Sequence, residues 1–247
     1  MKNKEKNFMS VVVYVHNAET RIDAFLKNII EVMEENFEHS EIICVNDDSI
    51  DASVEHIKEL SKLAVNTSIS VLNMSHYHGL ETAMNAGVDL SIGDFVLEFD
   101  STVLDYDKSE IMRLYRKSLE GYDIVSAYNN KKQKLTSKIF YQVFNRFTTL
   151  SYKMYTESFR VLSRRVINRI SSMNKTVPYR KAVYANSGLK TENIIYSVMV
   201  GNTTNNSDKE EKKYRVQLAI DTLILFTDVG YKFSISMTMF MMLMTVF

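Results

Sequence analysis

An α/β domain with a mostly parallel central sheet flanked by helices, followed by a helical tail, is the fold this sequence predicts. Three observations predict it. Strand-like and helix-like stretches alternate through residues 10–100, polar clusters fall where the strand-like stretches end, and residues 216–247 turn apolar and rich in methionine. Alternation of this kind implies parallel strands joined by right-handed crossovers. In such sheets ligands bind beyond the carboxyl ends of the strands.

The elements follow in order. Ser10 to Val15 is a β-branched run of the length of a buried parallel strand. Residues 20–36 place Ile22, Phe25, Leu26, Ile29, Ile30 and Met33 at helical spacing. Glu41 to Val45 reads as a second strand, and Asp51 to Leu63 as a helix with Val54, Ile57 and Leu60 on one face. Ser68 to Leu72 is a third strand, residues 80–91 a further helix, and Asp94 to Phe99 a fourth strand. Ser137 to Lys153 and Arg164 to Met173 are helix-rich. These assignments divide the chain into a ligand-binding domain over residues 1–200, a polar loop over 201–215 and a tail over 216–247. In the tail, Val216, Ile220, Leu223, Ile224 and Thr227 recur at helical spacing, and residues 233–247 carry no charge. A membrane span needs roughly 20 apolar residues, so this run reads as a cut span, an interfacial helix or a Met-rich packing helix. In the packing case the partner is the domain itself or a second copy in a homo-oligomer.

Composition narrows the function. Of 247 residues 45% are hydrophobic and 24% charged, as in globular domains. Lys+Arg and Asp+Glu both number 30, and this balance gives no case for nucleic acid as a partner. A single cysteine, Cys44 in an apolar run, reads as a small buried hydrophobe, and nothing in cysteine usage points to secretion. Lys2, Lys4, Glu5 and Lys6 lead straight into a strand-like run, so no signal peptide is expected. The Asn-x-Ser/Thr triplets at Asn174, Asn202 and Asn205 read as polar turns. No G-x-G-x-x-G or Walker pattern occurs, which counts against a nucleotidyltransferase or other phosphate-loop protein.

Three motifs carry potential chemistry. Asn46-Asp47-Asp48-Ser49-Ile50-Asp51 ends the second strand with three acids, more than an N-cap requires. The run from Gly93 to Thr102 delivers Asp100 to the end of the fourth strand, where a carboxylate can hold Mg²⁺ or Mn²⁺ bridging a diphosphate. One carboxylate alone makes a weak site, because hard cations take several oxygens. His76-Tyr77-His78 lacks the cysteine or third histidine a zinc site would need.

Taken together these segments resemble the family 2 glycosyltransferases of GT-A fold. Ser10 to Glu19 is similar to their opening strand and turn, and Asn46 to Asp51 to their nucleotide motif. Gly79, Ala83 and Gly87 look like their third helix, and Gly93 to Asp100 matches the approach to their Asp-x-Asp motif. Lys134 to Tyr141 and Ser158 to Arg165 resemble the branch related to dolichol-phosphate mannose synthase, which glycosylates polyprenyl phosphates. The resemblance covers roughly residues 9–230. It implies a nucleotide-sugar donor contacted by Glu19, Asp47, Asp48 and Asp51, and a metal on Asp100. It also implies phosphate neutralised by Lys134, Ser137 and Arg160, with Asp100 and Arg160 at the catalytic centre. The implied reaction is inverting transfer to a membrane-held acceptor, a polyprenyl phosphate, on the cytoplasmic side of a membrane. An ionised phosphate acceptor needs no strong general base. The sequence departs from the pattern at Thr102 (the second acid of the metal motif), Tyr14 (a proline), Asn129 (an arginine) and Ser197 to Gly201 (basic residues). These departures weaken metal and phosphate binding, and they give the alternative of a degenerate, non-catalytic binding module.

Overall fold

The structure is a computed structural model and describes residues 3–129, 135–148, 157–173, 179–199 and 209–246. Seven strands form one sheet: β1 (Met9–Val15), β2 (Ser40–Asn46), β3 (Thr67–Asn73), β4 (Phe95–Phe99), β5 (Ile124–Asn129), β6 (Phe159–Ser163) and β7 (Thr191–Tyr196). Their order across the sheet is β3-β2-β1-β4-β6-β5-β7. The β1–β2, β1–β4, β2–β3 and β5–β7 pairings are parallel, and only β6 runs against its neighbours β4 and β5. The sheet is thus mostly parallel and flanked by helices, as the alternation predicts.

Nine α-helices are described: α1 (Glu19–Asn36), α2 (Ser53–Leu60), α3 (Leu80–Leu90), α4 (Ser109–Leu119), α5 (Leu135–Phe147), α6 (Arg164–Ser172), α7 (Arg180–Ala185), α8 (Lys209–Phe226) and α9 (Val229–Val246). The period-two alternation of β1 divides the core. Met9, Val11, Val13 and Val15 face α1 and α4, in a cluster that includes Phe25, Ile29, Met33, Ile111 and Tyr115. Val12 faces the other way and packs with Ile43, Val45 and Val96 against Ala83, Met84 and Val88 of α3. All six apolar residues that the helical spacing aligns on α1 are buried. Cys44 lies in the first of these clusters, and burial pushes its thiol up to about 12, in keeping with a packing role.

The tail differs from its expected boundaries. Helix α8 begins at Lys209, inside the segment expected to be a loop, and residues 200–208 lie outside the described residues. Leu218, Leu223 and Phe226 of α8 pack on Phe140, Tyr141 and Phe144 of α5 and on Tyr179. Val216, Ile220 and Ile224, most of the apolar stripe visible in the sequence, instead face outward at 61%, 47% and 63% exposure. The side chains of α9 from Tyr231 to Met244 are exposed as well.

Close contact between α3 and the sheet depends on Gly87. A Cβ there would lie 2.5 Å from both Val12 Cγ1 and Val45 Cγ2. Those methyls belong to β-branched side chains with little freedom to move aside. We expect Gly87→Ala to destabilise the domain by about 1–3 kcal/mol through overpacking. Urea unfolding checks this, and an unchanged midpoint would mean that α3 can lift from the sheet without cost.

Candidate active site

The carboxyl ends of β2 and β4 frame the candidate site. β1 lies between β2 and β4, so the carboxyl ends of β2 and β4 are two inter-strand spacings apart, roughly 10 Å. At the β1–β2 side the loops after both strands are tied together. Asn17 and Asp48 adopt positive φ, at 45° and 58°, a region that Asn and Asp enter more readily than other side chains. Asn17 Oδ1 accepts from Ile50 N (3.0 Å), and Ser49 Oγ accepts from Asn17 N (3.1 Å). Asp51 serves two helix starts at once, accepting from Glu19 N (2.9 Å) and Ser53 N (3.1 Å). Burial raises the Asp51 pKa, but these bonds and that of the Ser53 hydroxyl outweigh it and hold the carboxyl below its usual range. In return, the Glu19 carboxylate accepts a long bond from Ala52 N (3.4 Å).

Asp47 is fully buried. Its carboxylate accepts from Tyr14 Oη (2.9 Å), His78 N (2.8 Å) and Gly79 N (2.9 Å). Tyr14, at the position of the expected proline, therefore donates a hydrogen bond to Asp47. Burial, with Asp47 beside it, raises the Tyr14 pKa far above the phenol range, so the hydroxyl stays a donor. Gly79 holds φ at +82°, and a Cβ there would meet the Tyr214 ring at 2.3 Å. Tyr214 Oη in turn accepts from Glu81 N (3.2 Å), which seats α8 on the loop that Asp47 organises. Asp48 points to solvent.

The β4 end is an ion cluster. The antiparallel register sets Arg160 of β6 opposite Glu98 of β4, and the two side chains are paired with almost no exposure. Arg160 Nη2 donates to Asp100 Oδ2 (2.9 Å) and its Nε to Glu157 Oε2 (2.9 Å). From α7, Arg180 Nη2 donates to Asp100 Oδ1 (2.7 Å) and its Nε to Glu81 Oε2 (3.0 Å). Its Nη1 lies 2.9 Å from Glu98 Oε1, in ion-pair contact without hydrogen-bond geometry. Tyr184, one turn further along α7, donates to the same oxygen (2.7 Å). Lys181 Nζ stands 3.5 Å from Asp100 Oδ2. Burial raises the Asp100 pKa, but Arg160, Arg180 and Lys181 overwhelm that and hold the carboxyl far below its ordinary value. Such a carboxylate is a poor base.

Of the residues expected at the site, Asp100 and Arg160 are in direct contact, and Glu19, Asp47 and Asp51 belong to the loop system beside them. Ser137 is half-buried in the first turn of α5, and Lys134 lies outside the described residues. Thr102 is buried, and Asp105 accepts from Tyr196 Oη (2.8 Å) and Asn129 Nδ2 (3.3 Å). Asn129, in place of an arginine, therefore spends its amide on an internal acid. Among the described residues no group of three or more His, Cys, Asp or Glu is arranged to hold a metal. His76 and His78 stack at 3.9 Å between centroids without a third ligand. Sequence reasoning missed Glu81, Glu157, Arg180, Lys181 and Tyr184 as members of the cluster. Glu98 carried a signal, being an acid in the middle of the apolar strand Phe95–Phe99. Arg180 and Lys181 carried none.

A mostly parallel sheet with polar loops and an acid-tipped strand at its carboxyl edge defines the GT-A class. The chain belongs to glycosyl transferase family 2, whose profile matches residues 10–172. Among its relatives, an uncharacterized glycosyltransferase of Synechocystis is 29% identical over 76% of this chain and 60% of its own length. A bactoprenol glucosyl transferase of Shigella phage SfX is 30% identical over 76% of this chain and 63% of its own length. The chain thus spans about 60% of the length of the curated relatives it matches. A mannosyltransferase of Pyrobaculum calidifontis, solved with GDP-Man and Mn²⁺, superposes with a TM-score of 0.60 at 13% identity, covering 81% of this chain and 59% of that one. That similarity is one of fold.

The depressed Asp100 pKa sets a pH dependence. A carboxylate whose folded pKa is lowered adds stability above its unfolded value, near 3.9, and loses it as the pH falls toward the folded one. Asp100→Asn leaves two buried guanidiniums short of counter-charge, at a cost of about 3–5 kcal/mol at neutral pH. Urea unfolding across pH should show the full deficit above about pH 5, shrinking below about pH 4. A deficit that does not change with pH would mean that packing, and not charge, holds Asp100.

Proposed function

We propose that this chain is an inverting glycosyltransferase that moves a sugar from a nucleotide-diphosphate donor to a polyprenyl phosphate held in a membrane, working at its cytoplasmic face. The observation that carries this reading is the placement of Asp100, locked among cations at the end of β4, beside the loop system of Glu19, Asp47 and Asp51. The nucleoside would lie over β1 and β2, near Asp47, Asp48 and Glu19, and the phosphates would lie toward Arg160, Arg180 and Lys181. Catalysis would then rest on positioning and charge neutralisation. A phosphate acceptor suits the site because it is already ionised and requires no base, and Asp100 is unfit to be one. The bactoprenol glucosyl transferase relative agrees with a lipid-phosphate acceptor. The direct test is transfer of labelled sugar from UDP- and GDP-sugars to undecaprenyl phosphate in vesicles. Label should move into the lipid fraction, and Arg160→Met should abolish it. Donor binding without transfer to any acceptor would favour the degenerate binding module, which the buried Thr102 and the internally used Asp105 make the second reading.

The tail would supply the membrane contact. Among the described residues no helix is long and apolar enough to cross a membrane. Instead, the outward stripe of α8 and the exposed α9 offer an apolar surface suited to lying in the interface. We expect the full chain to float with anionic vesicles, and a chain ending at Asp228, which keeps the α8 contacts with α5, to remain folded and stay at the bottom of the gradient. Formation of a dimer that ignores vesicles would assign this surface to a second copy instead.

A further inference from the structure

The residues at Asp100 do not fit a divalent cation, and we propose that Lys181, backed by the guanidiniums of Arg160 and Arg180, takes the place a metal would hold against the donor diphosphate. The inference rests on the donor reading above and specifies how phosphate charge is met. Three observations converge on it.

Both oxygens of Asp100 are already engaged, Oδ1 by Arg180 at 2.7 Å and Oδ2 by Arg160 at 2.9 Å. A Mg²⁺-sized ion would sit about 2.1 Å from such an oxygen and demand near-octahedral oxygen ligands. It would then lie against two fixed positive groups. Among the described residues no group of three or more His, Cys, Asp or Glu is arranged to hold a metal. Glu98 is fully buried between Arg160, Arg180 and Tyr184, and position 102 is a buried threonine. The third observation is Lys181 itself. Its ammonium lies 3.4 Å from the Glu157 carbonyl and 3.5 Å from Asp100, both long contacts, and Tyr141 also acts on it electrostatically. Its side chain is 10% exposed and that of Asp100 13%, whereas Arg160 and Arg180 are at 1% and 0%. The least buried part of the cluster is therefore one carboxylate beside one ammonium held by long contacts. Three donors on a compact, flexible cation suit a phosphate oxygen, and because Arg160 and Arg180 already satisfy both Asp100 oxygens, Asp100 does not depend on its longer contact with Lys181.

The test compares metal and nucleotide binding by the full chain. Mn²⁺ alone is titrated and free Mn²⁺ read by electron paramagnetic resonance. UDP and GDP are titrated calorimetrically in EDTA and again in Mn²⁺. The proposal expects no Mn²⁺ retained by the protein and diphosphate affinities that agree within about twofold in the two buffers. Lys181→Met should weaken diphosphate binding by about tenfold or more, as loss of a charged hydrogen bond does, while Lys181→Arg restores most of it. Stoichiometric Mn²⁺ binding by the protein, or a tenfold tightening of UDP or GDP by Mn²⁺, would overturn the proposal, and neither measurement depends on a variant folding. No binding of either nucleotide in either buffer would overturn the donor reading and with it the phosphate role of Lys181. The Mn²⁺ titration decides the state of Asp100 separately.

Discussion

The structure depends on one buried charge cluster. Arg160 and Arg180 each lie against both Glu98 and Asp100, and through those contacts β4, β6 and α7 become one rigid unit. Neither arginine could be buried alone, since an uncompensated charge out of water is very costly. Glu81 on α3 and Glu157 before β6 complete the compensation. Four carboxylates and three cations thereby couple the sheet to helices on separate segments. The register of β4 against β6 follows from the same pairing, because a slip of one residue would turn Arg160 to the other face.

The second organising element is the carboxylate of Asp47. Its three hydrogen bonds reach β1 through Tyr14 and the loop before α3 through His78 and Gly79. Gly79 is also where the Tyr214 ring rests. The side chain expected to meet a nucleoside is thus connected, through two contacts, to the helix that carries the outward apolar stripe.

Several departures from the family pattern have structural partners. Tyr14 in place of proline donates to Asp47, and Asn129 in place of arginine donates to Asp105. Each substitution is accompanied by a satisfied buried acid, which is how a polar interior remains stable. The tail has a divided character for a similar reason. One face of α8 is held by the aromatic side chains of α5, so its apolar residues split between an internal and an external surface.

The sequence by itself determined the first four strands, the helices between them and the strand ends at which polar side chains collect; β5, β6 and β7 it did not. Those features are local: a β-branched run, a 3.6-residue spacing and an acid after an apolar strand are visible without knowing what lies opposite. It also singled out Asp100 and Arg160, though not that they touch. Glu81, Arg180, Lys181 and Tyr184 are separated from Asp100 by between 19 and 84 positions, and no periodicity links them to it. The antiparallel insertion of β6 was equally hidden, because strand direction is set by neighbours across the sheet and not by the strand's own residues. Only the tertiary structure decided that the acid at the end of β4 meets guanidiniums, since long-range charge pairing is chosen by the path of the chain through space and leaves no pattern along it.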